Sequence, residues 1–165
     1  MTLPNPYAPP ATNVEDVTPL QASPPLWNPR VAVNFSLLFS PVFGAIVQMK
    51  NWQALGEAER ALKSRNWAIG SLVLLTALNL VDVLALVKFG GGIGRPMALV
   101  LLITWYYANG KSQYRYMTEK FGAQYPKRPW GQPFLWGVAG FVGYVVAVGL
   151  AGYVLGMLMG PSHPS

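Results

Sequence analysis

Residues 134–159 form an unbroken run of 26 residues without a charged side chain, and no other feature of the chain limits its fold so strongly. As a helix this run is about 39 Å long, more than the roughly 30 Å thickness of a bilayer's hydrocarbon core. In lipid every backbone N–H and C=O needs a partner within the protein, so a run of this kind is read as a spanning helix. Composition agrees. Apolar residues make up 52% of the 165 and charged residues only 11%, against about 25% charged in an ordinary soluble domain. The chain has no Cys, which excludes a disulfide framework, a thiolate nucleophile and any Cys-ligated metal.

Three further apolar blocks precede this one. Residues 67–87 carry a single charge, Asp82, and read as a second spanning helix. Residues 31–49 carry none, but Pro41 and Gly44 near their middle permit a break. A full span and a re-entrant hairpin are both open for this block. The third block follows Gly90-Gly91-Gly92-Ile93-Gly94, and Pro96 suits its first helical turn. Its apolar part, residues 97–108, is short and must either borrow Tyr106, Tyr107 and the following residues as an interfacial end or tilt little in a locally thin bilayer. The glycine run is expected to be a flexible turn, because a phosphate loop requires a preceding strand and a Lys-Ser/Thr ending.

Residues 1–30 hold 8 of the 15 prolines. Proline lacks the amide donor and restrains its predecessor, so this segment is expected to be a disordered tail. The expected architecture is therefore an all-α integral membrane protein with three to four transmembrane helices, the first spanning or re-entrant, and two amphipathic cytoplasmic surface helices. Its parts are a Pro-rich tail at 1–30, a helical membrane domain at 31–160 and a C-terminal tail at 161–165.

Charge orients the blocks. Nine of the twelve basic residues lie in loops 50–66 and 109–133, which the positive-inside rule places in the cytoplasm, leaving the C-terminus outside. Arg60, Lys63, Arg65, Arg115, Lys120, Lys127 and Arg128 are the expected contacts to anionic lipid headgroups. This asymmetry accounts for the net charge of +6 without nucleic acid. Within the first loop Glu59 and Lys63 are spaced for an i,i+4 ion pair. Trp52, Trp67, Trp105, Trp130 and Trp136 stand where an aromatic belt is expected.

Two groups of residues are candidate sites. Asp82 lies within its span with Asn79 one turn earlier, and burying a carboxylate there is costly unless it is paired. The pair serves either a proton or cation relay or an interhelical contact, with Lys88 or Arg95 as the cation in reach. In the last block Gly152, Gly156 and Gly160 repeat every four residues beside a small-residue stripe of Ala139, Gly143, Ala147 and Ala151. Glycines weaken a helix interior, so their presence points to close approach by another helix. No catalytic, cofactor or metal constellation is visible: His163 is alone in the terminal tail, and Glu15, Asp16, Glu57, Glu59 and Glu119 lie in the tail or loops.

The leader Asn5-Pro6-Tyr7-Ala8-Pro9-Pro10 resembles that of many small bacterial multi-span proteins. The stretch from Trp27-Asn28-Pro29-Arg30 to Trp52, and the phrase from Phe121-Gly122 to Arg128-Pro129-Trp130, are similar to segments of the same proteins. The resemblance implies a bacterial inner-membrane location and a cytoplasmic tail, which favours the hairpin for residues 31–49, and it names no activity. The expected function is non-enzymatic: helix packing with a membrane-protein partner or in a homo-oligomer, as an accessory subunit or an immunity-type protein that blocks a membrane-acting toxin. The alternative is a small oligomeric transporter or channel built around Asp82.

Overall fold

The computed structural model describes residues 23–89, 94–122 and 125–159. The tail up to residue 22, the glycine turn at 90–93, Gly160 and the C-terminal tail lie outside the described residues. Within them the chain is helical, with one isolated bridge between Leu26 and Lys127.

The first apolar block is a hairpin. Helix α1, Pro29–Phe39, stops at Ser40, and α2, Pro41–Ala54, starts at once with proline in its first turn. Pro41 has no N–H to continue the hydrogen-bond ladder and drives its predecessor out of the helical region. Ser40 accordingly takes φ 118° and ψ 165°, a conformation that normally belongs to glycine. The two helices then run antiparallel. Ser36 lies against Gly44, Ala32 packs with Val47, and the Trp27 backbone meets the Asn51 side chain, so the start of α1 and the end of α2 share one level. Phe35 and Phe39 close on Phe43 at ring-centroid distances of 6.2 and 5.2 Å.

Gly56, at φ 74°, turns the chain into α3, Ala58–Phe89. This 32-residue helix includes the basic stretch 58–66 that was expected to be a separate surface helix. Nothing between Asn66 and Trp67 breaks the helix, so surface and apolar parts are continuous. The same holds for the next pair. Helix α4, Gly94–Trp105, passes through a π-helical turn, Tyr106–Gly110, into α5, Lys111–Phe121, without interruption. The short third block thus gains length from the basic helix that follows it. Helix α6, Gly131–Met159, returns alongside α3. Residues Ala58–Val83 and Gly131–Leu158 are long and apolar enough to cross a membrane.

Packing concentrates at one end. Leu26 donates to and accepts from the backbone of Pro126 and Arg128 at 3.0 and 2.9 Å, and Trp27 Nε1 donates to the Pro129 carbonyl at 3.1 Å. The two proline-rich connectors thereby tie the entry of α1 to that of α6. From Leu26 onward, the segment assigned to the tail belongs to the packed body. Trp52 and Trp105 are core residues and not part of an aromatic belt, with exposures of 1% and 0%. Trp105 fills the notch opposite Gly44, where a Cβ would meet its ring and the Ser36 hydroxyl.

Two substitutions test this hairpin. Ser40→Gly relieves the backbone strain and is expected to stabilise the protein by about 1 kcal/mol. Gly44→Ala crowds Ser36 and Trp105 and is expected to cost about 1–3 kcal/mol. Thermal unfolding in mild detergent measures both, and opposite signs are the expected outcome.

Candidate functional site

Amide side chains join the helices at the packed end. Asn51 Oδ1 accepts the Trp27 N–H at 3.0 Å, and its Nδ2 donates to the Trp27 carbonyl at 2.8 Å and to Gln113 Oε1 at 3.1 Å. Gln113 Nε2 donates to the Gln48 carbonyl at 3.0 Å. Gln48 in turn donates to the Gly110 carbonyl at 3.0 Å and accepts from Asn109 at 2.7 Å, while Asn109 also donates to Ser64 Oγ at 3.2 Å. All five side chains are buried. The π-helical turn has a part in this, because its widened backbone offers the Gly110 carbonyl to a side chain. Among the described residues, the buried side-chain polar atoms left unpaired are Ser71 Oγ and Trp105 Nε1, both outside the network.

The two polar residues within the apolar part of α3, Asn79 and Asp82, have structural partners. Asn79 Nδ2 donates to the Tyr144 hydroxyl of α6 at 2.8 Å and to the Leu75 carbonyl at 2.8 Å. Both oxygens of Asp82 accept the Gly94 N–H at 2.9 Å. That amide opens α4, where a carboxylate is favoured by the orphan donors and by the helix dipole. The partner of Asp82 is therefore a backbone amide and not Arg95. The side chain of Lys88 lies outside the described residues.

The stripe on α6 does not face its own chain along its whole length. Side chains four apart advance by about 40° around a helix, so the line from Ala139 to Ala151 winds through about a third of a turn. A Cβ at Gly152 would stand 3.6 Å from the Val83 methyls of α3, and Ala151 is half-buried beside it. Ala139, Gly143 and Ala147 are exposed on the opposite flank, and a Cβ at Gly143 would meet nothing. Gly156 is also open, and Gly160 lies outside the described residues. The close contact to the hairpin falls at Gly137 instead, where a Cβ would crowd Phe39 at 2.8 Å. A cavity of about 630 Å³ between the hairpin tip, α3, α4 and α6 has the Asn79–Tyr144 pair in its wall.

The basic residues gather at the end where the amides lie. Arg60, Lys63, Arg65, Arg115, Lys120 and Lys127 are exposed there, and Arg128 stacks over Trp27 at 4.8 Å. Lys63 does not pair with Glu59. Its Nζ points across to the Ala108 carbonyl at 3.5 Å, drawn by the adjoining helix. The ion pairs among the described residues are Arg60–Glu57 at 3.7 Å and Arg115–Glu119 at 4.0 Å. Burial raises the Tyr125 phenol above its ordinary pKa and keeps it neutral beside Phe121. No group of three His, Cys, Asp or Glu converges among the described residues.

Comparison with protein-family models, with curated proteins and with solved structures finds no match. Function is read from the geometry.

Of these residues the sequence singles out Asn79, Asp82, the stripe and the cations. It misses Gln48, Asn51 and Asn109. The available signal was their placement: amides inside or beside apolar blocks, with no charge to solvate them. Asn51→Leu strands the Trp27 N–H and carbonyl and one oxygen of Gln113. At about 1–3 kcal/mol for each buried group left unpaired, thermal unfolding in detergent is expected to show one of the largest losses of any single substitution, whereas Asn66→Leu, exposed on α3, is expected to change little.

Proposed function

We propose that this chain is a multi-pass protein of a bacterial inner membrane that acts without catalysis, by packing α6 against a transmembrane helix of another membrane protein. It serves as an accessory subunit or as an immunity-type protein. The observation that carries this reading is the flank of α6 bearing Ala139, Gly143 and Ala147, which is small, apolar and uncovered by the chain's own helices. Lipid gains nothing from glycine on a helix surface, since glycine weakens the helix and offers no side chain to the acyl tails. A second helix gains closer backbone approach.

Membrane residence is supported by α6 as a whole. None of its most apolar 18-residue window is buried by the protein, and Val142, Val146, Leu150 and Val154 are half exposed or more. In water such a surface would drive aggregation. Under the positive-inside rule the basic end faces the cytoplasm, so α3 runs outward, α4 inward and α6 outward. The hairpin then enters and leaves on the cytoplasmic side and keeps the N-terminus there. Transport through Asp82 draws less support, because its carboxylate is occupied at the start of α4.

The test uses affinity purification of the full chain from native membranes in mild detergent, with mass spectrometry of intact complexes. A double variant, Gly143→Leu with Ala147→Leu, is expected to keep the wild-type melting temperature and lose its stoichiometric partner. Gly152→Leu, which strikes Val83, is expected to lower the melting temperature itself. Asp82→Asn is expected to leave the complex intact. Unchanged partner recovery in the double variant overturns the proposal, and an ion or proton flux abolished by Asp82→Asn with assembly intact would favour transport instead.

A further inference from the structure

A cleft of about 420 Å³ opens at the basic end, between the start of α3 and the junction of the π-helical turn with α5. Arg60 and Lys63 line one wall, Lys111 and Arg115 the other, and Glu119 is the single carboxylate among the lining residues. Glu119 lies 4.0 Å from Arg115 and so neutralises at most one of the four cations. Glu57, outside the lining, is engaged twice, by Arg60 at 3.7 Å and by the Tyr116 hydroxyl at 2.6 Å. An excess of positive charge remains in one small concavity.

The cations are held there by the fold. Arg60 is stacked on Tyr116 at 4.5 Å and on Trp52 at 5.0 Å, and Trp52 is itself buried. Lys63 reaches the Ala108 carbonyl of the π-helical turn. Lys111 and Arg115 are one helical turn apart on α5 and project together. Stacking spares the guanidinium part of its ordering entropy, and its planar fork suits two oxygens of one anion. Guanidinium and ammonium groups lining one concavity, with the Tyr107 hydroxyl as a further donor, suit a tetrahedral oxyanion, while the Ser112 hydroxyl is spent on the Asn109 carbonyl at 2.6 Å. The cleft also stands one helical turn before Trp67, where α3 becomes apolar.

We propose that this cleft binds the phosphodiester of one anionic phospholipid, as a defined site and not as diffuse attraction to the membrane surface. The proposal rests on the membrane reading above. A headgroup held there would fix the depth of α3 and α5 together, across the junction that the π-helical turn makes.

The full chain is placed in phosphatidylcholine nanodiscs, and bound lipid is then counted by native mass spectrometry after titration with phosphatidylglycerol or with diacylglycerol. Failure to enter nanodiscs as a folded chain would overturn the membrane reading itself. Given insertion, one phosphatidylglycerol per chain is expected to be retained and no diacylglycerol. Lys111→Gln with Arg115→Gln is expected to weaken retention on the order of thirtyfold, the effect of losing two charge contacts near a lipid surface. Lys127→Gln with Arg128→Gln removes two cations from the same end that do not line the cleft, and is expected to weaken retention far less than the Lys111/Arg115 pair. Equal losses in the two pairs overturn the defined site, as does equal retention of diacylglycerol. Displacement of the lipid by millimolar inorganic phosphate overturns the lipid as the source of the anion.

Discussion

Lipid tails are as apolar as leucine, so burying leucine between helices in a membrane gains little, and a bundle there needs another means of choosing its register. In this chain, read as the membrane protein proposed above, hydrogen bonds between buried amides supply it. Asn51 grips both backbone groups of Trp27, Gln113 bridges Asn51 to the Gln48 carbonyl, and Asn109 joins Gln48 to Ser64. Helices α2, α3 and α5, the π-helical turn and the entry segment meet in these bonds. Sliding any one of them by a turn would leave buried donors and acceptors empty. That register holds the second arm of the hairpin, the π-helical turn, α5 and the basic start of α3 at one level.

Away from the amides the contacts thin out. Helix α6 meets the hairpin and its entry through Phe134 on Phe35 and Phe39, Trp136 on Trp27 and Gly137 on Phe39, and further along through Tyr144 on Asn79 and Gly152 beside Val83. Past the hairpin these contacts are small or polar and none covers the helix. An element so lightly held by its own chain is free to offer its other flank, and the exposed small residues lie on that flank. Fold and proposed function are thus linked by an uneven distribution of adhesion, strong at the basic end and sparse along α6.

Several of these features were legible in the residues. Pro41 announced the break, the nine loop cations marked one end, and the three-residue spacing of Asn79 and Asp82 put both on the packed side of α3. Others were not. The amide network pairs residues up to 65 positions apart, and a lone Gln or Asn in an apolar block reads only as an interruption until its partner is known. The stripe on α6 divides for a geometric reason: a four-residue repeat winds around a straight helix, so a line that ends at the α3 contact begins on the far flank. The basic segments were read as separate helices because composition changes at Asn66 and after Tyr107. Helices end at caps, prolines and glycine turns and not at a change of polarity.

The central claim is that residues 29–54 enter and leave on one side of the membrane, locked to the cytoplasmic ends of the other helices. The native chain has no Cys, so single cysteines at Ser23, Gln53 and Arg95 can be probed with a membrane-impermeant maleimide in right-side-out and inverted vesicles. The account predicts that positions 23 and 53 label only in inverted vesicles and position 95 only in right-side-out ones. Labelling of positions 23 and 53 from opposite faces would show that this segment spans, and would contradict the account.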